Sequence, residues 1–223
     1  LLYQTKKSFE KYLGEKVGII GDSRFKPRRI TVATIQTLHL HRERIAFLSW
    51  LQEKKPDVIV NIGDFFDFPS LSSYDKGKLS FEGRRLQEDL AVGVKGMETF
   101  MKPIQDEMNN GKGWLPRLVF TLGNHEERLL RVPSNNPEFA GFISYDLLQL
   151  ERFGWEVHDF LKPVEIQGIY FVHYLANPFT GKPYGGNAMA QLKNVGNSFC
   201  VGHKQTLDVA IRPTLDGKMQ IGI

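Results

Sequence analysis

Short segments of the sequence place side chains that could bind a metal ion next to glycines or after apolar runs. The candidates are one carboxylate, one amide and three imidazoles: Asp64, Asn124, His125, His173 and His203. Carboxylate, imidazole and amide oxygen together suit Mn²⁺, Fe²⁺ or Zn²⁺ better than Ca²⁺. Two such ions about 3.5–4 Å apart can activate a water molecule and hold phosphate oxygens for in-line attack. The residue types therefore predict a hydrolytic metal centre.

A further candidate lies near the beginning of the chain. The stretch TVATIQTLHLHR (residues 31–42) is apolar and β-branched, and it ends with His39 and His41. The carboxyl end of a strand in an α/β protein is a common place for a functional site. His39 is therefore a candidate ligand, whereas His41 is expected to face solvent at the start of a helix.

The elements that must position these residues follow an alternating pattern in the first half of the chain. Apolar runs predict strands at 29–36, 57–63 and 117–123. Helical periodicity predicts helices at 42–55, 82–110 and 138–152. Shorter runs between turn signals predict strands at 155–158, 163–167, 169–174, 198–202, 207–212 and 218–223. This order predicts a layered α/β sandwich with two sheets.

Composition limits the class of protein. A chain of 223 residues with 41% hydrophobic residues suits one large domain with a real core. Cys200 is the single cysteine, so an internal disulfide is excluded, which fits a reducing compartment. No apolar run is long enough for a membrane span and no signal-peptide pattern opens the chain. We expect a cytoplasmic protein without a membrane partner.

Charge is concentrated at the N-terminus. Residues 1–30 contain eight basic and three acidic side chains, whereas the whole chain has a net charge of +4. We interpret residues 1–28 as a basic leader or linker and 29–223 as the domain. The leader could approach nucleic-acid phosphates. A solvated leader is the preferred interpretation, because the segment has few aromatics and no recognisable binding motif.

The motifs carry a resemblance to a known family. GDFFD, GNHE, an isolated histidine on a later strand and GH near the end, in this order, resemble the calcineurin-like metallophosphoesterases over about residues 29–223. The wider segments GDFFDFPSLSSYDKGKLSFEGRR and GWEVHDFLKPVEIQG resemble a subgroup common in bacteriophage genomes. The resemblance implies an α/β-β-α sandwich of two mixed β-sheets flanked by helices. It also implies one or two divalent ions per chain (Mn, Fe, Zn or Ni) and, for a phage protein, the cytoplasm of the bacterial host.

The resemblance also implies roles for individual residues. One complete ion site would consist of Asp64, Asn124, His173 and His203, with Asp64 bridging to a second ion. His39 matches a ligand of that second ion, and His125 matches the histidine that the family places against the scissile phosphate. Thr37 and Gln205 stand where the family has an Asp and a His of the second ion site. The second site is therefore expected to be weak, with His41 as a candidate substitute ligand.

Neighbouring residues have less certain roles. Asp67 is expected to orient a histidine or the loop backbone. Two interpretations stay open for Arg128 and Arg131: contact with a substrate phosphate, or a place on a solvated helix face. Glu126 and Glu127 are interpreted as first-turn helix residues. Tyr184, Gly185 and Gly186 are candidates for the rim of the site, while His158 and Cys200 are interpreted as structural.

Two functions follow from these observations. The leading prediction is a metal-dependent phosphoesterase in which activated water attacks phosphorus and His125 assists the leaving group. Its substrate is a phosphate ester of unknown identity; a phosphodiester such as a nucleic-acid strand is one candidate, and a phosphomonoester or cyclic nucleotide stays open. The alternative is a weakly active or inactive scaffold that binds a partner or nucleic acid. The oligomeric state is not predicted.

Overall fold

The N-terminal part of the chain contributes a small sheet. The computed structural model describes residues 18–21, 24–26, 31–33, 49–111, 113–204 and 208–223. Strand β1 (Gly18–Gly21) pairs antiparallel with β2 (Arg24–Lys26) and parallel with β3 (Thr31–Ala33). The strand predicted at 29–36 is present at β3, and the rest of that segment is outside the described residues. Strands β1 and β2 lie within the predicted leader, and the boundary at residue 28 stays a prediction.

The second sheet is parallel and carries the first two ligand loops. It consists of β4 (Val58–Asn61), β5 (Arg117–Thr121) and β6 (Glu156–His158), with β5 in the centre. All but the first residue of β5 are buried. Burial on both faces explains why this strand is a continuous apolar run rather than an alternating one. Because all three strands are parallel, the loops after β4 and β5 leave the same edge of the sheet.

Helices cover this sheet and complete its core. Residues 49–54 are helical and correspond to the last part of the helix predicted at 42–55. Residues 42–48 of that prediction lie outside the described part. Helix α1 (Leu86–Asn109) follows the long loop after β4, and helix α2 (Arg128–Asn135) follows β5. Gly93 faces the ring of Phe66, where a Cβ would lie 2.1 Å from a ring carbon. That contact explains the glycine in the middle of α1, which brings the helix against the loop that carries Asp64.

The third sheet is mixed and has five strands. They are β7 (Val164–Ile166), β8 (Ile169–Val172), β9 (Ser198–Val201), β10 (Ala210–Pro213) and β11 (Met219–Gly222), in the order β10-β11-β9-β8-β7. Helix α3 (Ala188–Val195) begins at Asn187, whose side chain accepts a hydrogen bond from the Ala190 N–H, and ends at Gly196 in the left-handed region. Leu192 of α3 and Phe199 of β9 are fully buried in a core of this half.

The structure differs from the sequence predictions in several elements. The helix predicted at 138–152 is wrong: the segment forms three 3₁₀ turns, at Pro137–Phe139, Tyr145–Leu148 and Glu151–Phe153. Gly141 and Gln149 have positive φ angles of 84° and 55°, which interrupt any continuous helix. Strand β6 joins the parallel sheet instead of the later strands, and α3 was not predicted.

The predicted fold class is confirmed. A parallel sheet and a mixed sheet with flanking helices form an α/β sandwich. Among the described residues, no helix is long and apolar enough to cross a membrane.

Candidate metal centre

The loops after β4 and β5 lie directly on each other. Gly63 has φ +88°, and a Cβ there would lie 2.6 Å from the Cα of Gly123. Asp64 itself adopts φ 58°, which non-glycine residues rarely do. A strained backbone at a candidate ligand persists only where its surroundings hold it, and such strain is typical of functional sites.

Glu126 is the residue that holds the two loops together. Its side chain is fully buried. One carboxylate oxygen accepts hydrogen bonds from Asp64 N at 2.9 Å and Gly123 N at 2.8 Å, and the other accepts from Phe66 N at 2.9 Å. Burial and the Asp64 carboxylate raise the pKa of Glu126, while these N–H donors oppose the rise. The expectation that Glu126 is only a first-turn helix residue is therefore wrong.

The glycines before the ligands have two different roles. Gly63 has a positive φ and allows a sharp turn. Gly123 and Gly202 instead permit close approach: a Cβ on Gly123 would lie 2.3 Å from Asp64 Oδ1, and one on Gly202 would lie 2.9 Å from the Ile62 side chain.

The mixed sheet delivers the two histidines to the same place. His173 follows β8 and His203 follows β9, two neighbouring parallel strands. The Gly202 and His203 N–H groups both donate to the His173 carbonyl, at 2.9 and 3.0 Å. His173 Nδ1 lies 2.8 Å from the Ile62 carbonyl oxygen, which joins this sheet to the loop after β4.

Four candidate ligand groups converge. Asn124 Oδ1 lies 2.8 Å from His173 Nε2 and 2.8 Å from His203 Nδ1. The two imidazole nitrogens are 3.2 Å apart, and Asp64 Oδ2 is 3.4 Å from His173 Nε2. Ligand atoms about 2.0–2.1 Å from one ion, at tetrahedral or octahedral angles, lie roughly 2.8–3.4 Å from each other. The separations therefore fit a single ion shared by Asp64, Asn124, His173 and His203.

The hydrogen-bond chemistry of His173 also fits a cation. The Ile62 carbonyl can only accept, so Nδ1 must carry the hydrogen. In the neutral imidazole, Nε2 then presents a lone pair towards the Asn124 and Asp64 oxygens, which are acceptors themselves. Such a group of facing lone pairs needs either a proton on Nε2 or a divalent ion between the donor atoms.

The charges of these groups shift their pKa values. Burial disfavours the charged form of Asp64, but His173 and the His125 N–H outweigh it and hold the pKa of Asp64 below its ordinary value. Burial would lower the pKa of His173, but the Asp64 carboxylate outweighs it and raises that pKa. Burial and the nearby His173 lower the pKa of His203. An ionised carboxylate and a neutral His203 are the protonation states that metal binding requires.

His125 stands beside this cluster and is oriented by Asp67. His125 Nδ1 lies 2.7 Å from Asp67 Oδ1, and its Nε2 lies 3.8 Å from Asp64 Oδ2. Arg128 donates from one guanidinium nitrogen to the carbonyls of Asp67 and Phe68, at 2.7 and 3.2 Å. Asp67 thus contacts a histidine, as expected, and Arg128 holds the loop.

A cavity of about 190 Å³ opens next to the cluster. It is lined by polar, aromatic and apolar side chains: Leu71, Ser73, Tyr74, Asn124, Arg128, Arg131, Tyr174, Pro183 and His203. Tyr184–Gly186, predicted to form the rim, are not among these lining residues. From the same loop after His173, Tyr174 and Pro183 line the cavity instead. The position of Tyr174 beside His173 was the available signal.

Other predicted residues lie elsewhere or outside the described part. His39, His41, Thr37 and Gln205 are outside it, so the second ion site stays a prediction. His158 Nε2 lies 2.7 Å from a Glu156 oxygen on the parallel sheet. Cys200 is on β9, and burial raises the pKa of its thiol to about 11.

Comparison with known proteins agrees with the geometry. A family model described as calcineurin-like phosphoesterase matches residues 16–206, which is most of the chain. No curated protein and no solved structure matches the chain.

Proposed function

The chain belongs to the calcineurin-like phosphoesterase family, and we propose that it hydrolyses a phosphodiester at the site formed by Asp64, Asn124, His173 and His203. Membership of this family implies metal-dependent phosphoester hydrolysis in general. The convergence of four donor atoms within 2.8–3.4 Å of their neighbours is the observation that carries the proposal. A bound divalent ion, with manganese proposed, would supply a Lewis acid that activates water and polarises the phosphate.

His125 is proposed as the acid for the leaving group. Its Nδ1–H donates to the Asp67 carboxylate at 2.7 Å, which fixes the ring orientation. Its Nε2 is then the atom that carries the transferable proton, and it points towards the ligand cluster, 3.8 Å from Asp64 Oδ2. Delivery of this proton to the departing oxygen would avoid an unstable alkoxide. Asp64 also helps to position His125, because its Oδ1 accepts a hydrogen bond from the backbone N–H of His125 at 3.0 Å.

The second ion site is proposed to be weak. This rests on the family pattern, in which Thr37 and Gln205 replace an anionic ligand and an imidazole. We propose one tightly held ion per chain, with His39 able to contribute to a looser one. Two tightly held equivalents in a metal count on purified protein would contradict this.

Hydrolysis of bis(p-nitrophenyl) phosphate with added Mn²⁺ tests the proposed function. We expect turnover of this compound by the wild type. For an alkyl phosphodiester, whose leaving group needs a proton, His125→Ala should lower kcat by about 10²- to 10⁴-fold, the range of acid–base catalysis. His158→Gln is the matched control, because His158 pairs with Glu156 away from the cluster, and it should retain activity. Absence of turnover with every divalent ion tried would instead favour a non-catalytic binding protein.

A further inference from the structure

We propose that Arg131 determines substrate choice: it binds a second phosphate group of the substrate, while Tyr74 and Tyr174 pack against a planar base attached to that phosphate. The inference rests on the proposed function and names the substrate class as a nucleotide-type phosphodiester. Its physical basis is the cavity that these three residues share with the ligands Asn124 and His203.

The two arginines of the cavity differ in how their charge is used. The Arg128 guanidinium is occupied by the Asp67 and Phe68 carbonyls and lies 3.9 Å from Asp67 Oδ1. Arg131 lies one helical turn further along α2 and is exposed. Within the part of the chain that the structure describes, its guanidinium has no hydrogen-bond or ion-pair partner. Arg131 is therefore the cation of this cavity that is available to a ligand.

A guanidinium without a protein partner is suited to bind an anionic group of the substrate. A guanidinium presents a planar fork of N–H donors that matches phosphate oxygens. The four-ligand cluster accounts for the scissile phosphate, so the Arg131 charge can act on a neighbouring one. Arg131 and Tyr174 line the same cavity, so the cation and the aromatic ring can contact one substrate.

The two tyrosines that line the cavity come from loops that are distant in sequence. Tyr174 is held in place by Phe160, whose ring meets it edge-on at 5.5 Å, and by His203, at 5.0 Å between ring centroids. Tyr74 comes from the long loop after β4, and its side chain is 82% exposed. A fixed ring and an exposed ring at one cavity offer stacking surfaces for a base.

The size of the cavity limits what it can hold. A volume of about 190 Å³ is below the roughly 300–1,000 Å³ of pockets that enclose drug-sized ligands. The cavity therefore suits one nucleotide unit of an extended chain, with the remainder of the substrate in solvent.

A matched pair of chromogenic substrates tests the role of Arg131. The pair is thymidine 5′-(p-nitrophenyl phosphate) and the same compound with a 3′-phosphate, assayed with Mn²⁺. In the wild type the 3′-phosphate should raise kcat/KM by about tenfold or more, the value of one hydrogen-bonded ion pair. Arg131→Gln should reduce that advantage to less than about twofold. Hydrolysis of bis(p-nitrophenyl) phosphate, which has no second phosphate, should change by less than about threefold.

Control variants separate this effect from general changes in charge or surface. Arg152→Gln removes an exposed arginine that contacts Gln149 outside the cavity, and it should keep the full advantage of the 3′-phosphate. Tyr74→Ala should raise KM for both thymidine substrates, whereas Phe142→Ala, which removes an equally exposed ring, should not.

The outcomes distinguish the inference from the proposed function. A wild type that hydrolyses bis(p-nitrophenyl) phosphate but gains nothing from the 3′-phosphate overturns the inference and leaves the function intact. An advantage that persists in Arg131→Gln also overturns it. A wild type that hydrolyses none of these compounds overturns both. Titration calorimetry with thymidine 3′,5′-bisphosphate gives a second readout: binding should weaken in Arg131→Gln and not in Arg152→Gln.

Discussion

The two halves of the metal centre are built differently. The half that follows the parallel sheet contains Asp64 and Asn124, on loops joined by the three N–H bonds to buried Glu126. The half that follows the mixed sheet contains His173, whose ring is buried and bonded to Ile62, and His203, which is exposed. The first half is fixed by the fold itself, whereas His203 completes the site with little effect on the fold. Changes in the first half should therefore affect stability and metal binding together, and changes at His203 should affect metal binding alone.

Gly123→Ala should have the largest effect. A Cβ there would lie 2.4 Å from Asp64 N, which is backbone and cannot move away cheaply. We expect a loss of about 3 kcal/mol in the free energy of unfolding together with loss of Mn²⁺ binding, measured by urea denaturation and calorimetry. Gly185→Ala is the control, since a Cβ on Gly185 meets nothing within 4 Å. Equal stability of the two variants would contradict the close contact between the loops.

Glu126→Gln should have the next largest effect. The amide NH₂ of Gln would face backbone N–H groups that now donate to a carboxylate, leaving at least one of them without an acceptor. The expected destabilisation is about 1–3 kcal/mol, again with weaker Mn²⁺ binding. Glu138→Gln changes an exposed glutamate in the same way and should leave both quantities unchanged. If Mn²⁺ affinity were unaffected in Glu126→Gln, the fixed half would not depend on this residue.

His203→Ala separates the two halves most sharply. Its metal-free form should unfold within about 0.5 kcal/mol of the wild type, because exposed substitutions have small effects. Saturating Mn²⁺ should raise the melting temperature of the wild type by mass action, and this rise should disappear in the variant. A variant that is stabilised by Mn²⁺ as much as the wild type would remove His203 from the ligand set.

Glu156→Gln should have the smallest effect and lies outside both halves. Arg117 pairs with Glu156 across β5 and β6 and lowers the pKa of Glu156. A carboxyl whose pKa is lowered in the folded state stabilises the fold above its unfolded pKa, and this contribution is lost as the pH falls through the lower, folded value. The wild type should exceed the variant by at most about 1 kcal/mol at neutral pH. The difference should shrink as the pH falls below the ordinary glutamate pKa of about 4.3 and vanish below the lower, folded value, as followed by denaturation at several pH values, and Mn²⁺ binding should not change.

The comparison also explains what the sequence could predict. Strands β4 and β5 and helix α1 were predicted because buried parallel strands and a long amphipathic helix leave clear apolar patterns. Asp64, Asn124, His173 and His203 were identified from motif order, and the structure brings all four together, although their binding of an ion stays a prediction. The helix at 138–152 was wrong because local apolar spacing does not reveal the left-handed backbone at Gly141 and Gln149.

Glu126 shows the limit of sequence reasoning at the site. A glutamate at the start of a helix is usually explained by the helix dipole, and neither of its neighbours indicates burial. The signal was its spacing of three residues from Leu129, which is fully buried. Its partners, Asp64 N and Phe66 N, are about sixty residues away in sequence, and only the tertiary fold reveals them.

The most direct test is a crystal structure of the protein with Mn²⁺ and its anomalous scattering. The account predicts a strong peak about 2.0–2.4 Å from Asp64 Oδ2, Asn124 Oδ1, His173 Nε2 and His203 Nδ1. Ordered side chains at these four positions with no anomalous peak between them, at a Mn²⁺ concentration that supports turnover, would contradict it.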